Sequence, residues 1–138
     1  MSPRDTSTGS VLEQMLLPAL NRGGYQCRTQ VPIGRRPGGG RHVVDAVAER
    51  DGRRWLISMK WQQVSGTVEQ KVPFEIICLA EAAQAGEYSG AYLVLGGPGW
   101  SLREFYVGDG LRKYLAHADV VRVVNLEDFV ATANRGAL

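Results

Sequence analysis

The stretch HVVDAVAERDGRRWLISMKW at residues 42–61 carries the strongest structural signal in the chain. It contains two runs rich in β-branched, aromatic and other apolar residues, 42–49 and 54–61, which is a composition typical of strands. Between them lies Asp51-Gly52, a dipeptide that favours the tight turn of a two-residue hairpin. The stretch therefore predicts two neighbouring antiparallel strands.

The sequence on both sides extends this hairpin into a sheet. Residues 25–33 predict a further strand, with alternate residues from Tyr25 onward on one face, and the glycine-rich loop 34–41 joins it to the hairpin. Short apolar runs at 91–95 and 120–124 predict two more strands. The first of these is wholly apolar, as expected for a buried central strand.

Apolar residues at helical spacing predict four helices, at about 10–22, 67–86, 101–117 and 127–134. Ser10 is the predicted N-cap of the first helix, with Glu13 as the acid of a capping box. Pro73 is either in the first turn of a helix that starts late or at a kink. The order α-β-β-β-α-β-α-β-α predicts an α/β protein with a mixed sheet and helices on both faces.

Length and composition predict one globular domain at residues 10–138, preceded by a disordered tail at 1–9. The chain has 138 residues, 44% of them apolar, and no apolar run of the roughly 18 residues that span a bilayer. Cys27 and Cys78 lie in apolar patterns and are expected to be buried, reduced thiols of a cytoplasmic protein. The loop 96–99 lacks a nucleotide-binding motif, so no organic cofactor is expected. Because no apolar run is long enough to cross a bilayer, no membrane partner is expected either.

Positive charge is concentrated in residues 22–60, which have nine basic and three acidic side chains in a chain of net charge +2. This distribution indicates either a polyanionic partner or a solvated, arginine-rich face. Arg35, Arg36 and Arg41 flank the glycine-rich loop. They are candidates for phosphate contacts, unless the loop is simply disordered in solvent.

Two charged residues interrupt the apolar strands of the hairpin. Asp45 lies in the first strand and Lys60 in the second, and ionised side chains are costly to bury unless they are paired or bind an ion. Alternation places Ser58, Lys60 and Gln62 on one face, and Asp45 can share that face. A buried Asp–Lys pair is one explanation, but such pairs rarely add net stability, which favours a functional role.

The succession of Glu13 on a helix, Asp45 on a strand and Ser58-x-Lys60 on the next strand resembles the PD-(D/E)XK nuclease superfamily, which includes restriction endonucleases and Holliday junction resolvases. The resemblance covers nearly the whole chain, because the superfamily core is αβββαβ in this order. It implies a restriction-endonuclease-like fold with a mixed central sheet flanked by helices.

The usual pattern has an acid two residues before the lysine, where this chain has Ser58. Some restriction enzymes of the superfamily share this serine, and in them the missing acid has moved onto the following helix. Glu69 and Glu75 are both candidates for that acid here. Glu69 is nearer the strand, whereas the spacing from Lys60 to Glu75 is close to that of the migrated-acid enzymes, so Glu75 is slightly favoured.

The resemblance implies a Mg²⁺ site that would also accept Mn²⁺, held by the Asp45 carboxylate, one helix glutamate and the Met59 carbonyl. Lys60 would orient or deprotonate the attacking water, or neutralise charge developing on the phosphate. Glu13 would hold a second metal through water or serve only as a capping acid. Gln62 would position a phosphate or be a surface side chain.

These implied roles predict a metal-dependent DNA endonuclease of the restriction or structure-specific type. One catalytic centre per chain implies a homodimer for cutting both strands of a duplex. Two alternatives stay open: an inactive nuclease fold that binds nucleic acid or a protein, and an interaction module with an incidental Asp–Lys pair. No base-reading motif appears, so duplex, junction, flap and single-stranded DNA, and RNA, all stay open as substrates.

Overall fold

Five strands form one mixed sheet in the order β1-β2-β3-β4-β5 in a computed structural model that describes residues 8–108 and 110–138. Strands β1 to β3 pair antiparallel and β3 to β5 pair parallel, which confirms the predicted meander and the α/β class. The strands are β1 Gln26–Arg35, β2 Arg41–Arg50, β3 Arg53–Trp61, β4 Gly90–Gly96 and β5 Val121–Asn125.

Helices cover both faces of this sheet, as the sequence predicts. One core lies between the sheet and α3, and the other lies between the sheet and the pair α2 and α5. The helical segments are α1 Thr8–Val11, a π-helical turn Leu12–Leu16, α2 Leu17–Arg22, a 3₁₀ turn Thr67–Lys71, α3 Val72–Ala85, α4 Arg103–Val107, a 3₁₀ turn Ala118–Val120 and α5 Leu126–Asn134.

The first helical region is interrupted by a π turn next to its proline. Pro18 has no N–H, so it cannot donate the regular helical hydrogen bond, and the π turn Leu12–Leu16 lies just before it. The helix begins at Thr8, so the prediction of Ser10 as its N-cap was wrong. The remainder of the predicted tail, residues 1–7, lies outside the described residues.

The predicted helix at 101–117 was wrong beyond its first part. Among the described residues of this span only Arg103–Val107 is α-helical, and most of the others up to the next strand form turns. Gly108 follows the helix directly, and glycine weakens continued helix. A Cβ atom on Gly110 would lie only 2.4 Å from the ring of Phe105, so the close turn there depends on glycine.

The β1–β2 hairpin changes faces at its middle, which the sequence does not predict. Tyr25 packs in the α2–α5 core, but Val31 packs in the α3 core, although alternation would put them on one face. The same reversal separates Ala46 from Val44 on β2. Gln30 lies at the reversal with a left-handed φ of 52°. As a result, the outer half of the hairpin lies against α3.

Candidate active site

Strands β2 and β3 separate at Asp45. The β2–β3 ladder runs from Arg50↔Arg53 to Ala46↔Ile57, and beyond it the Asp45 carboxylate accepts a hydrogen bond of 2.7 Å from the Met59 N–H. Burial raises the pKa of Asp45, and the Met59 hydrogen bond and the charge of Lys60 only partly oppose this rise. The carboxylate is therefore held in a partly dehydrated position at the end of the ladder.

Glu75 reaches the same point from the first turn of α3. It is buried, and its Oε2 accepts a hydrogen bond of 2.7 Å from the Ser58 hydroxyl. Its Oε1 lies 2.9 Å from Nη1 of Arg36. Burial opposes ionisation of Glu75, but the Ser58 hydrogen bond and the charges of Lys60 and Arg36 hold its pKa below the ordinary value. Glu75 is thus an ionised carboxylate in contact with Ser58.

Lys60 acts on both carboxylates through its charge. It is half-buried at the end of β3, and its positive charge favours ionisation of Asp45 and of Glu75. The two carboxylates in turn disfavour each other's ionisation, since the charge of Glu75 raises the pKa of Asp45. The structure therefore brings Asp45, Ser58, Lys60 and Glu75 together at one place on the α3 side of the sheet.

The donor set suits a hard divalent cation. Asp45 and Glu75 provide carboxylate oxygens, and the backbone of Met59 lies at the same point. Within residues 8–108 and 110–138, no three side chains of His, Cys, Asp or Glu converge on one point. Mg²⁺ usually retains several waters and is bound by one or two carboxylates, so two are compatible with it.

Glu69 lies in a different network. Its carboxylate accepts hydrogen bonds from the backbone N–H groups of Ser101 and Leu102 and from the Ser101 hydroxyl. Burial opposes ionisation, but these hydrogen bonds hold the pKa of Glu69 below its ordinary value. Of the two candidate glutamates, only Glu75 contacts the strand residues of the site, and Glu69 instead anchors the loop before α4.

Gln62 belongs to the Glu69 network and is buried, so the alternative of a surface side chain was wrong. Its Nε2 donates to Oε1 of Glu69 at 3.2 Å and to the carbonyl of Gly99 at 2.9 Å. Both donor hydrogens of its amide are thereby used within the protein. Gln62 links the end of β3 to the loop at Gly99.

Glu13 is exposed on the other side of the sheet. It lies in the π turn beside a groove that also includes Asn21 and Cys27. It makes no hydrogen bond or ion pair with any residue that the structure describes. The geometry therefore does not bring Glu13 to Asp45 and Glu75.

The three loop arginines have different surroundings. Arg35 donates to the carbonyl of Gly39 within its own turn at 2.8 Å, and Arg41 is exposed. Arg36 instead points back to the site and pairs with Glu75. The loop is ordered by backbone hydrogen bonds between Arg36 and residues 39–40, so the alternative of a disordered loop was wrong.

Sequence reasoning missed the surroundings of His42. This side chain is only 1% exposed, and its Nε2 has no hydrogen-bond partner among the described residues. Burial lowers the pKa of His42, and the nearby charge of Arg36 lowers it further, so the imidazole is neutral. The reversal at Gln30 brings this end of β2 to α3, and no local pattern indicates that reversal.

The comparisons with known proteins fit this geometry. The model of a PD-(D/E)XK nuclease superfamily domain matches residues 4–137. This chain belongs to the PD-(D/E)XK nuclease superfamily. The Glu75 carboxylate contacts Ser58, which lies two residues before Lys60. No curated protein matches the chain.

The crystal structure of a protein of unknown function, AF1548, is similar with a TM-score of 0.48 and 15% sequence identity. The match covers 80% of this chain and 54% of that protein's chain, so this chain spans about half of its length. Both cysteines are free thiols, with Cys78 buried and Cys27 half-buried. None of the helices in the described part of the chain has the length and apolar character needed to cross a membrane.

Proposed function

We propose that this chain is a divalent-metal-dependent DNA endonuclease that hydrolyses phosphodiester bonds. The observation that carries the proposal is the contact of Glu75 with Ser58, beside Asp45 and Lys60. This contact supplies a second carboxylate where the superfamily pattern has an acid two residues before the lysine. Two carboxylates can hold a divalent cation, and a lysine can act on the attacking water or on the phosphate.

Asp45 and Glu75 would hold Mg²⁺ or Mn²⁺ together with the Met59 carbonyl and water. When bound, the cation supplies charge for the phosphate oxygens and lowers the pKa of a bound water. Ser58 keeps the Glu75 carboxylate oriented toward this point. The Met59 N–H does the same for Asp45, so both carboxylates are positioned before any ligand arrives.

Lys60 would act on the attacking water or on the phosphate. Its charge favours ionisation of both carboxylates, which supports a role for Lys60 beside a phosphate bound at the same point. It would orient the water or neutralise charge that develops as the phosphodiester bond breaks. This role is distinct from metal binding, so the two can be separated by mutation.

DNA is proposed as the substrate because of the superfamily membership and the basic segment 22–60. Arg41 is exposed beside the loop and would contact the phosphate backbone. One centre per chain also leads us to propose a homodimer for double-strand cleavage. Sedimentation of the protein with and without a duplex would test that state, and a monomer on duplex DNA would contradict it.

The test of the proposed function is a cleavage assay on a panel of labelled duplex, junction, flap and single-stranded DNA and matching RNA. Each substrate is incubated with Mg²⁺, Mn²⁺ or EDTA. Asp45→Asn protein, purified identically, controls for contaminating nuclease. We expect cleavage of at least one DNA that requires metal and Asp45. Retention of DNA with no cleavage under any condition would instead favour a binding-only nuclease fold.

A further inference from the structure

Arg36 and Ser58 bind different carboxylate oxygens of Glu75. Ser58 is 3% exposed and lies on β3, which is paired with β4 along this stretch. The Arg36 side chain is 30% exposed, against 7% for Glu75, so the guanidinium covers the solvent side of the carboxylate. Both carboxylate oxygens of Glu75 are therefore in use within the protein.

A cation that binds Glu75 must compete with one of these two partners. Ser58 is neutral and fixed in the sheet, and its hydroxyl can stay bonded to one carboxylate oxygen. Arg36 carries a full positive charge, which repels a divalent cation at such short range. Electrostatics thus favours loss of the Arg36 contact when a metal binds.

The loop that carries Arg36 is anchored at its base and open to solvent at its tip. Val31 and Val44 fix the base of the outer hairpin in the α3 core. Gly38 and Gly39 have left-handed φ angles of 94° and 104°, and a Cβ atom at either would meet nothing within 4 Å. Because the Arg36 side chain is 30% exposed and no side chain that the structure describes crowds the loop at Gly38 and Gly39, rotation of the side chain can take the guanidinium from Glu75 while the hairpin stays docked.

We propose that Arg36 is a positioning residue that holds Glu75 in place of the metal and, once the metal displaces it, contacts the phosphate of the bound strand. This inference rests on the proposed function. It predicts that metal and nucleic acid bind cooperatively through Arg36, because the metal releases a cation for the phosphate. By linkage, nucleic acid must strengthen metal binding by the same factor.

The first test measures Mn²⁺ affinity by calorimetry without nucleic acid, in wild-type protein and in Arg36→Ala, Arg36→Gln and Arg41→Ala variants. Arg41 is the matched control, since it is an exposed arginine of the same loop. We expect the two Arg36 variants to bind Mn²⁺ about tenfold more tightly than wild type. Arg41→Ala should keep the wild-type affinity. Circular dichroism shows whether each variant is folded. If Arg36→Ala is not folded, the comparison uses Arg36→Gln alone.

The second test measures DNA affinity in EDTA and in Ca²⁺, with recovery of the intact probe as a check. In wild type, Ca²⁺ should strengthen DNA binding by about tenfold. Both Arg36 variants should lose this enhancement, whereas Arg41→Ala should weaken binding equally in both conditions. Mn²⁺ affinity that is unchanged or weaker in the Arg36 variants would overturn the inference. If wild type binds no Mn²⁺ and cleaves nothing, the proposed nuclease function fails together with the inference on Arg36. If wild type binds Mn²⁺ and cleaves DNA but the Arg36 variants show no gain in Mn²⁺ affinity, only the inference fails.

Discussion

The two carboxylates of the site have opposite electrostatic environments, although they face the same lysine. Burial dominates at Asp45 and raises its pKa, whereas hydrogen bonding and nearby cations dominate at Glu75 and lower its pKa. At neutral pH, the ionised Asp45 therefore lowers the free energy of unfolding, and the ionised Glu75 raises it. Such a difference is expected where function, and not stability, determines the residue type.

This difference predicts opposite stability changes in two variants. Asp45→Asn should raise the free energy of unfolding at pH 7, because the wild-type protein loses stability as the pH rises through the raised pKa of Asp45. Glu75→Gln should lower it by about 1–3 kcal/mol, since a hydrogen-bonded buried charge is removed. Glu75 contributes its stability above the unfolded pKa, and this is lost as the pH falls through the depressed folded pKa.

Urea denaturation in EDTA at pH 7 and at pH 3 measures both effects. Glu81→Gln is the control for Glu75→Gln, because Glu81 is exposed on the same helix. Both differences from wild type should shrink at pH 3, because Asp45 is protonated there and because pH 3 lies below the ordinary glutamate pKa, where the contribution of Glu75 is already being lost. A destabilised Asp45→Asn protein at pH 7 would contradict the assignment of a buried, costly aspartate.

Lys60→Ala should separate metal binding from cleavage. Without the lysine, the two carboxylates lose a competing positive charge, so Mn²⁺ affinity should be retained or increase. Cleavage should fall by about 10²- to 10⁴-fold because water activation or charge neutralisation is lost. Calorimetry beside a nicking assay measures both quantities, with the exposed Lys71→Ala as control. Cleavage at the wild-type rate would reduce Lys60 to a structural counter-ion.

At the scale of the elements, the 3₁₀ turn and the start of α3 explain why the two glutamates have different roles. Glu69 lies in the 3₁₀ turn and faces Ser101, and Glu75 lies in the first turn of α3 and faces Ser58. We expect Glu69→Gln to lower the free energy of unfolding, because hydrogen bonds to Ser101 and Leu102 are weakened, while Mn²⁺ affinity stays within about twofold of wild type. A Glu69→Gln protein with wild-type stability and no metal binding would indicate that Glu69, and not Glu75, is the metal ligand.

The sequence predicted the elements whose signals are local. The alternation in residues 42–61 and the turn at Asp51-Gly52 were enough to predict the hairpin and to bring Asp45 near Lys60. The choice between the two glutamates could only be ranked, because it depends on how the chain turns from β3 into α3. The contact between Arg36 and Glu75 depends on the left-handed backbone at Gln30, which has no pattern in the sequence.

At the scale of the whole molecule, the basic segment and the site lie on connected elements, since β1 to β3 carry most of both. Arg35 and Arg41 are exposed at the hairpin tip, next to the arginine that pairs with Glu75. Changing both to alanine should weaken DNA binding and reduce the slope of log K against log salt by about 1–2. Filter binding at salt concentrations from about 50 to 200 mM measures this slope. An unchanged slope would show that the hairpin tip does not contact the DNA.

Anomalous scattering from crystals of the protein soaked in Mn²⁺ would show directly whether Glu75, and not Glu69, completes the metal site with Asp45. We expect an anomalous peak at coordinating distance from carboxylate oxygens of both Asp45 and Glu75, with Arg36 displaced from Glu75. A peak on Glu69, or on Asp45 alone with the Arg36–Glu75 pair intact, would contradict this assignment.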